Sequence, residues 1–316
     1  MVAKKNLLKE YRMYDVIIVG AGSAGLAAGI YAARGGMSAL ILEKVFAGGQ
    51  IARAHIVENY PGFPDGVSGV DLALNFRAQA ERHGAIIKTE DVTGYDLEGE
   101  EKKIVTVDNI YKAKTVVLAM GAKYRTLGLN SEKKYVGSGV SYCATCDGAF
   151  FKNKEVAVIG GGDTALEDAL YLAGFASRIY VIHRRDELRG QKALQKAAMQ
   201  HGSIEFIWDT EVDSVLGGAL VEAVRIKNKK TQKMRDLSVS GVFIAIGTMP
   251  ETEEVKDLIK MDNGGYIITD AGMRTNLPGV FAAGDIVSKS LRQVITAAAD
   301  GAIAIYSAQS YLHENE

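Results

Sequence analysis

The chain reads as an α/β protein built around two Rossmann-like βαβ units. Three observations predict this. Residues 14–43 and 154–183 of the 316-residue chain align without a gap at an offset of 140. In each copy a short β-branched run enters a glycine-rich turn, an alanine-rich stretch of helical length follows, and a second apolar run closes the unit, which is the order of a βαβ motif. Thirty-five glycines against four prolines suit a fold with many tight strand-to-helix turns.

The first copy has a strand at 16–19 that runs into Gly20-x-Gly22-x-x-Gly25, with Ser23 and Ala24 inside the turn and Gly29 four residues beyond it. The second has a strand at 156–159 and Gly160-x-Gly162-x-x-Ala165, with Asp163 and Thr164 inside the turn and Ala169 beyond. Such a turn lets the backbone approach a pyrophosphate at the helix N-terminus and needs small residues where the helix packs on the sheet. The adenosine ribose is read at the end of the second strand, and there the copies diverge. Glu43, 23 residues after Gly20, is suited to accept hydrogen bonds from ribose hydroxyls, as in FAD or NAD. His183, followed by Arg184, Arg185 and Arg189, offers positive charge that pairs with a 2′-phosphate, so the second site reads as one for NADPH. Two dinucleotides in one chain imply electron transfer between them.

Apolar runs also break at Gly121 and Gly247, and these breaks mark where the chain crosses between domains. Near the C-terminus an apolar strand at 280–283 ends in Gly284-Asp285, which puts a carboxylate at the carboxyl end of a sheet to meet a ligand hydroxyl. Arg292 and Gln293 then begin a helix over 294–311, whose N-terminal dipole favours negative charge on a reduced flavin ring. The expected organisation is a discontinuous FAD-binding domain, 1–121 with 250–316, and an inserted NADPH-binding domain, 122–249.

Cys143 and Cys146 are the only cysteines and form a single CxxC. A zinc site needs four ligands. No second CxxC exists, and His55, His83, His183, His201 and His313 are scattered away from the pair, so no metal site is read. The remaining choice is dithiol exchange or two inert buried thiols, and the two dinucleotide sites supply an electron source for the first. A net charge of -1, from 37 basic and 38 acidic residues, gives no general attraction to nucleic acid or to an anionic membrane. The first fifteen residues are polar, without the apolar core of a signal peptide, and no stretch reaches the roughly 18 apolar residues of a membrane span. The expected location is the cytoplasm, where a CxxC is more often catalytic than a structural staple.

Taken together, GAGSAG, Gly48-Gly49-Gln50, Glu58-Asn59-Tyr60-Pro61-Gly62, CATCDG, GGGDTALEDALYL, HRRDELRG and FAAGD followed by Arg292-Gln293 resemble the low-molecular-weight thioredoxin reductases of bacteria, over nearly the whole chain. Those enzymes belong to the FAD- and NAD(P)-dependent pyridine nucleotide disulfide oxidoreductases, which implies that both domains are nucleotide-binding, Rossmann-like and of the three-layer β/β/α type. The resemblance implies a homodimer that carries FAD and uses NADPH to reduce the disulfide of thioredoxin. By similarity, Gly20, Gly22, Ser23, Ala24, Glu43, Gly49, Gln50, Asn59, Gly284, Asp285, Arg292 and Gln293 contact FAD, and Gly160, Gly162, Asp163, Thr164, His183, Arg184, Arg185 and Arg189 hold NADPH. Four positions depart from the family pattern. Ser23 and Met120 stand where proline and threonine are usual, and Leu188 and Gly190 where phenylalanine and alanine are, so the phosphate pocket differs in shape.

The catalytic residues are then Cys143, Cys146 and Asp147. Cys146 is the sulfur expected nearer the flavin, Asp147 is the proton donor, with a helix cap or turn as its bland alternative, and Cys143 is the nucleophile toward thioredoxin. Cys146 precedes Gly160 by fourteen residues, inside the nicotinamide domain, whereas the flavin belongs to the other. That address implies a domain rotation presenting disulfide and nicotinamide to the flavin in turn. Several rivals share the frame. A flavin-dependent NADPH–ferredoxin reductase lacks the CxxC, and a ferredoxin-driven thioredoxin reductase would have a degenerate nicotinamide site. An alkyl-hydroperoxide reductase flavoprotein needs an N-terminal thioredoxin-like module, and about a dozen residues precede the first strand here. From another class, a flavin-binding redox sensor would signal through the disulfide without turnover.

Overall fold

The computed structural model describes residues 13–54 and 56–315, so most of the polar N-terminal segment and His55 lie outside the described residues. The chain forms two compact units, one of Met1–Lys123 with Met249–Glu316 and one of Tyr124–Thr248. The first opens with a βαβ motif, β1 (Met13–Val19), α1 (Ser23–Arg34) and β2 (Ala39–Glu43). It continues through α2 (Gly69–Arg82), β3 (Ile86–Thr89) and a meander of β4 (Val92–Asp96), β5 (Lys102–Thr106) and β6 (Ile110–Leu118). The chain leaves through β7 (Ala122–Tyr124). In the second unit, α3 (Asn130–Tyr135), β8 (Val140–Ser141) and the one-turn α4 (Ala144–Asp147) precede the second βαβ motif, β9 (Glu155–Ile159), α5 (Asp163–Leu172) and β10 (Arg178–Ile182). Then come α6 (Lys192–Gln200), β11 (Ile204–Ile207), β12 (Thr210–Gly217), β13 (Val221–Asn228), β14 (Met234–Ser238) and β15 (Gly241–Ile244). The return runs through β16 (Thr248–Pro250), which pairs with β7, and the chain ends with β17 (Val280–Ala282) and α7 (Val294–Glu314).

The first unit holds a seven-stranded sheet in the order β3-β2-β1-β6-β5-β4, with β17 also paired to β6. Strands β1, β2, β3, β6 and β17 run parallel, and β4 and β5 form the antiparallel edge. Burial of alternate residues of β1 on opposite faces explains its unbroken apolar run: Ile18 packs with Leu26 of α1, Leu72 of α2 and Ile305 of α7, while Ile17 and Val19 pack with Leu42, Val255 and Ile267 on the other face. A strand buried on both faces has no polar positions to spare. Each such Ile or Leu contributes about 1.5–3 kcal/mol by its burial.

The second unit repeats the plan with a five-stranded parallel sheet, β11-β10-β9-β15-β8. One face of it packs Val156, Val158 and Val181 against Leu166 and Leu172 of α5. The other packs Ala157, Ile159 and Ile182 against Val224, Ile226 and Leu237 of the antiparallel β12-β13-β14 sheet. Helix, parallel sheet and antiparallel sheet are its three layers.

Candidate functional site

Each glycine turn rests on a first residue that only glycine accommodates. Gly20 has φ +100°, and a Cβ there would lie 2.4 Å from the Ala119 carbonyl oxygen; at Gly160, φ +154°, it would lie 2.3 Å from that of Ala245. The second glycine of each turn serves a different end. A Cβ on Gly162 meets nothing within 4 Å, and one on Gly22 meets only the Gly49 Cα at 4.0 Å, so the approach to both helices stays clear. Helices α1 and α5 start at these residues without a side-chain cap, which leaves first-turn amides for a phosphate. Ser23 and Ala24 form the first turn of α1, Asp163 and Thr164 that of α5. Asp163 Oδ1 is turned to the Gln191 N–H, which donates to it at 2.6 Å.

Around the first turn the side chains converge. Glu43 Oε2 accepts from the Ala21 N–H at 2.9 Å and Oε1 from the Val45 N–H at 3.1 Å, which fixes the carboxylate at the strand end while each oxygen keeps a lone pair for a hydroxyl. Gly49, φ +58°, lies so close to Gly22 that its Cβ would be 2.9 Å from the Gly22 Cα, and Gln50 Nε2 donates to the Ala122 carbonyl at 3.0 Å. Asn59 Nδ2 donates to Gln293 Oε1 at 3.1 Å, so these two residues, far apart in sequence, form one element. Arg292 donates from Nε to the Asp285 carbonyl at 3.3 Å and from Nη2 to that of Val287 at 3.2 Å, with its guanidinium 4.0 Å over the Tyr266 ring. It therefore holds the Asp285 loop in place.

Asp285 itself is the observation that tests the fit of a flavin nucleotide. Its Oδ1 is buried and has no hydrogen-bond partner among the described residues. Burial pushes its carboxyl above the usual range, with Lys289 and Arg292 pulling the other way. A buried acceptor left unpaired costs about 1–3 kcal/mol, and a ligand hydroxyl donating to it removes that cost. Gly284, φ +86°, donates its N–H to Asp300 Oδ2 at 3.0 Å, and Lys289 Nζ lies 2.6 Å from the same oxygen. The residues fit FAD.

At the second turn, His183 is only 4% exposed and lies beneath Gly161, where a Cβ would come within 2.3 Å of its Nδ1. Burial lowers its pKa, a backbone hydrogen bond at Glu187 opposes, and Arg189, Arg185 and Arg184 add to the lowering. The imidazole is thus a neutral spacer under the turn, with Nε2 unpartnered among the described residues. Arg184, Arg185 and Arg189 are exposed and form no ion pair or side-chain hydrogen bond among the described residues. The Arg189 N–H donates to the Gly161 carbonyl at 2.8 Å, which ties this arginine run to the glycine turn. Three unpaired guanidiniums beside an uncapped helix fit the 2′-phosphate and pyrophosphate of NADPH.

The cysteines form a disulfide, Cα–Cα 5.3 Å, with Cys143 as N-cap of α4 and both residues half-buried. The Cys146 and Asp147 N–H groups donate to the Cys143 carbonyl at 3.2 and 3.1 Å. Asp147 makes no capping bond with its side chain. Instead Ser141 Oγ, buried at the end of β8, donates to Asp147 Oδ2 at 2.6 Å and accepts from the Cys143 N–H at 3.1 Å. Burial pushes the Asp147 carboxyl up and the Ser141 bond partly offsets this. A carboxyl raised in this way holds a proton nearer neutral pH than an exposed one does.

Sequence reasoning missed three supports. Ser141 carries no signal of its own. Glu132, wholly buried, accepts from the Leu127 and Leu129 N–H groups and from the Tyr142 hydroxyl at 2.6 Å, which anchors the residue before Cys143. The Lys289–Asp300 pair had a readable clue, since Asp300 is an acid in the middle of an apolar helix.

The pyridine nucleotide-disulphide oxidoreductase family matches residues 14–301. A thioredoxin reductase of Streptomyces coelicolor is 46% identical over 301 residues, 94% of each chain. One of Listeria innocua is 43% identical over 310 residues, 98% of this chain and 97% of the relative. The crystal structure of thioredoxin reductase from Streptococcus pyogenes MGAS5005 superposes with a TM-score of 0.92 at 45% identity, covering 96% of this chain and 99% of that one. With two βαβ glycine turns and a CxxC disulfide flanked by a half-buried acid, the chain belongs to the pyridine nucleotide-disulphide oxidoreductase family and, within it, to the thioredoxin reductases.

Proposed function

We propose that the chain reduces the disulfide of a thioredoxin with electrons drawn from NADPH and relayed by FAD to Cys143 and Cys146. The observation that carries this reading is the Cys143–Cys146 disulfide with Asp147 held beside it by Ser141, on the same unit as the arginine-flanked turn. When bound, NADPH supplies a hydride and FAD accepts it and passes two electrons to the disulfide. Gly20, Gly22, Ser23, Ala24, Gly49 and Glu43 hold the FAD nucleotide, Asp285 and Gly284 its hydroxyl-bearing chain, and Gln50, Asn59, Arg292 and Gln293 the edge of that site. Gly160, Gly162, Asp163, Thr164, Arg184, Arg185 and Arg189 hold NADPH, with His183 packed under the turn.

Two electrons and two protons convert the disulfide into two thiols, and Asp147 supplies a proton as the Sγ–Sγ bond breaks. Cys143, as thiolate, attacks the disulfide of thioredoxin and forms a mixed disulfide with one of its sulfurs. Cys146 then attacks Cys143 Sγ, which restores the internal disulfide and releases reduced thioredoxin. Because the CxxC and the NADPH turn share one unit and the FAD turn lies on the other, the two units rotate between half-reactions. The same reading makes the protein a cytoplasmic homodimer. Exposed apolar side chains on α7, Tyr306 at 74% and Ile295 at 42%, support self-association, and no helix among the described residues is long and apolar enough to cross a membrane.

Cys146→Ser separates the steps. The variant should lose thioredoxin reduction, at least about 10³-fold, and still bleach flavin absorbance when NADPH is added anaerobically. Retained thioredoxin reduction, or lost flavin bleaching, would refute this division of labour. Sustained NADPH oxidation by the unmodified protein with thioredoxin excludes a sensor without turnover.

A further inference from the structure

The arginine run of the second unit contains its own opposing charges. Asp186 follows Arg185 directly, and Asp209 sits at the end of the neighbouring strand, where its N–H donates to the Arg185 carbonyl at 3.2 Å and the next residue, Thr210, donates to that of His183 at 2.9 Å. Two carboxylates so close to Arg184 and Arg185 would repel the 2′-phosphate those arginines are there to bind. A single side chain from outside the βαβ motif covers both. Lys230, at the tip of the β13–β14 hairpin, places Nζ 2.9 Å from Asp186 Oδ2 and 2.9 Å from Asp209 Oδ2.

The tip is built to hold it there. Asn228 Oδ1 accepts from the Lys230 N–H at 3.1 Å and the Thr231 N–H at 2.9 Å, an Asx turn, and the Lys229 N–H donates to the Asp209 carbonyl at 2.6 Å. The charge pattern therefore has three unpaired guanidiniums and two carboxylates that share one ammonium; Glu187, the remaining acid of the run, is exposed. Exposed pairs of this kind, with Lys230 62% and Asp186 70% exposed, contribute little to stability. Their field on a nearby dianion is another matter, since repulsion from an uncovered carboxylate acts at a distance of several ångströms.

Building on the assignment of the second site to NADPH, we infer that Lys230 is a positioning residue for coenzyme choice: by occupying Asp186 and Asp209 it keeps their charge off the 2′-phosphate and so preserves the preference for NADPH over NADH. The shifts agree in direction: hydrogen bonds to Asp209 and Asp186 raise the pKa of Lys230, and the bond from Lys230 lowers that of Asp186.

The test is calorimetric binding to the intact protein of adenosine 2′,5′-bisphosphate, which carries the 2′-phosphate, and of 5′-AMP, which lacks it, at low and high salt. Lys230→Ala should weaken the bisphosphate roughly five-fold and leave 5′-AMP unchanged, with the difference shrinking as salt screens it. Adding Asp186→Asn to Lys230→Ala should recover at least half of the loss, whereas Asp186→Asn with Lys230 in place should change bisphosphate binding by less than about two-fold; an equal gain in both backgrounds would mean that Lys230 acts on the phosphate directly and would overturn the inference. If Lys230→Ala leaves the wild-type preference intact, or weakens both ligands alike, or if Asp186→Asn recovers less than half, the inference falls. Equal binding of the two ligands by the wild-type protein would instead remove the NADPH assignment, and the inference with it.

Discussion

Ser141 shows how one hydroxyl organises a redox centre. Its single proton goes to Asp147 Oδ2, 2.6 Å away, while its lone pairs receive the Cys143 N–H, so Asp147, the proposed proton donor, and the first cysteine are held by the same atom. The bond lowers the pKa of Asp147, against the larger rise due to burial. Ser141→Ala removes only the lowering contribution. The Asp147 pKa should then move further up, the proton be retained to higher pH, and the alkaline limb of the pH–rate profile for dithiol formation shift upward. A rapid-reaction pH series with thioredoxin as acceptor reads this, and a limb that stays in place or moves down would take Ser141 out of that role. At this scale the sequence is least transparent. CATCD names the chemistry, but Ser141 gains its meaning only because β8 ends where the turn of α4 brings Asp147 back to it.

At the scale of elements, the glycine spacing carries most of the information. Gly29 shows why a small residue recurs four positions after the turn: a Cβ there would lie 2.5 Å from Ile41 Cδ1 of β2. Gly25 sits under the turn itself, where its Cβ would be 1.8 Å from the Gly20 carbonyl oxygen. A third contact of this type joins α1 to α7. A Cβ on Gly301 would lie 2.2 Å from the Ala24 carbonyl oxygen, and Ala24 in turn lies beneath Gly284. Gly301→Ala should therefore destabilise the protein by about 1–3 kcal/mol, as overpacked positions do, and reduce the FAD retained on purification. Gly202→Ala, with open space around its Cβ, is the control and should shift stability by less than about 0.5 kcal/mol. Thermal unfolding and the ratio of flavin to protein absorbance measure both. Nothing in the α7 sequence singles out Gly301 among its small residues, because its partner, Ala24, lies 277 residues earlier in the chain.

For the whole molecule, the two units have separate cores. The apolar clusters of the first draw on residues before 121 and after 254, and those of the second only on residues between 126 and 247. Residues 124–248 expressed alone should fold, with a cooperative thermal transition, whereas 1–123 alone should not, since it lacks β17, which pairs with β6, and α7, which packs on α1. A non-cooperative melt for 124–248 would show that its core needs the rest of the chain.

Local chemistry made much of this readable. Glycine turns must carry glycine, strands buried on both faces must be apolar throughout, and a CxxC closes on itself within one helical turn, so the two βαβ motifs, the α/β class and the paired cysteines were visible in short stretches of residues. Partnerships across the chain were not. Glu132 with Tyr142, Asn59 with Gln293, Lys289 with Asp300 and Lys230 with Asp186 join residues whose spacing follows no period. Spacing encodes what the backbone requires of its near neighbours; which distant charges neutralise one another is decided only when packing brings their strands and helices together.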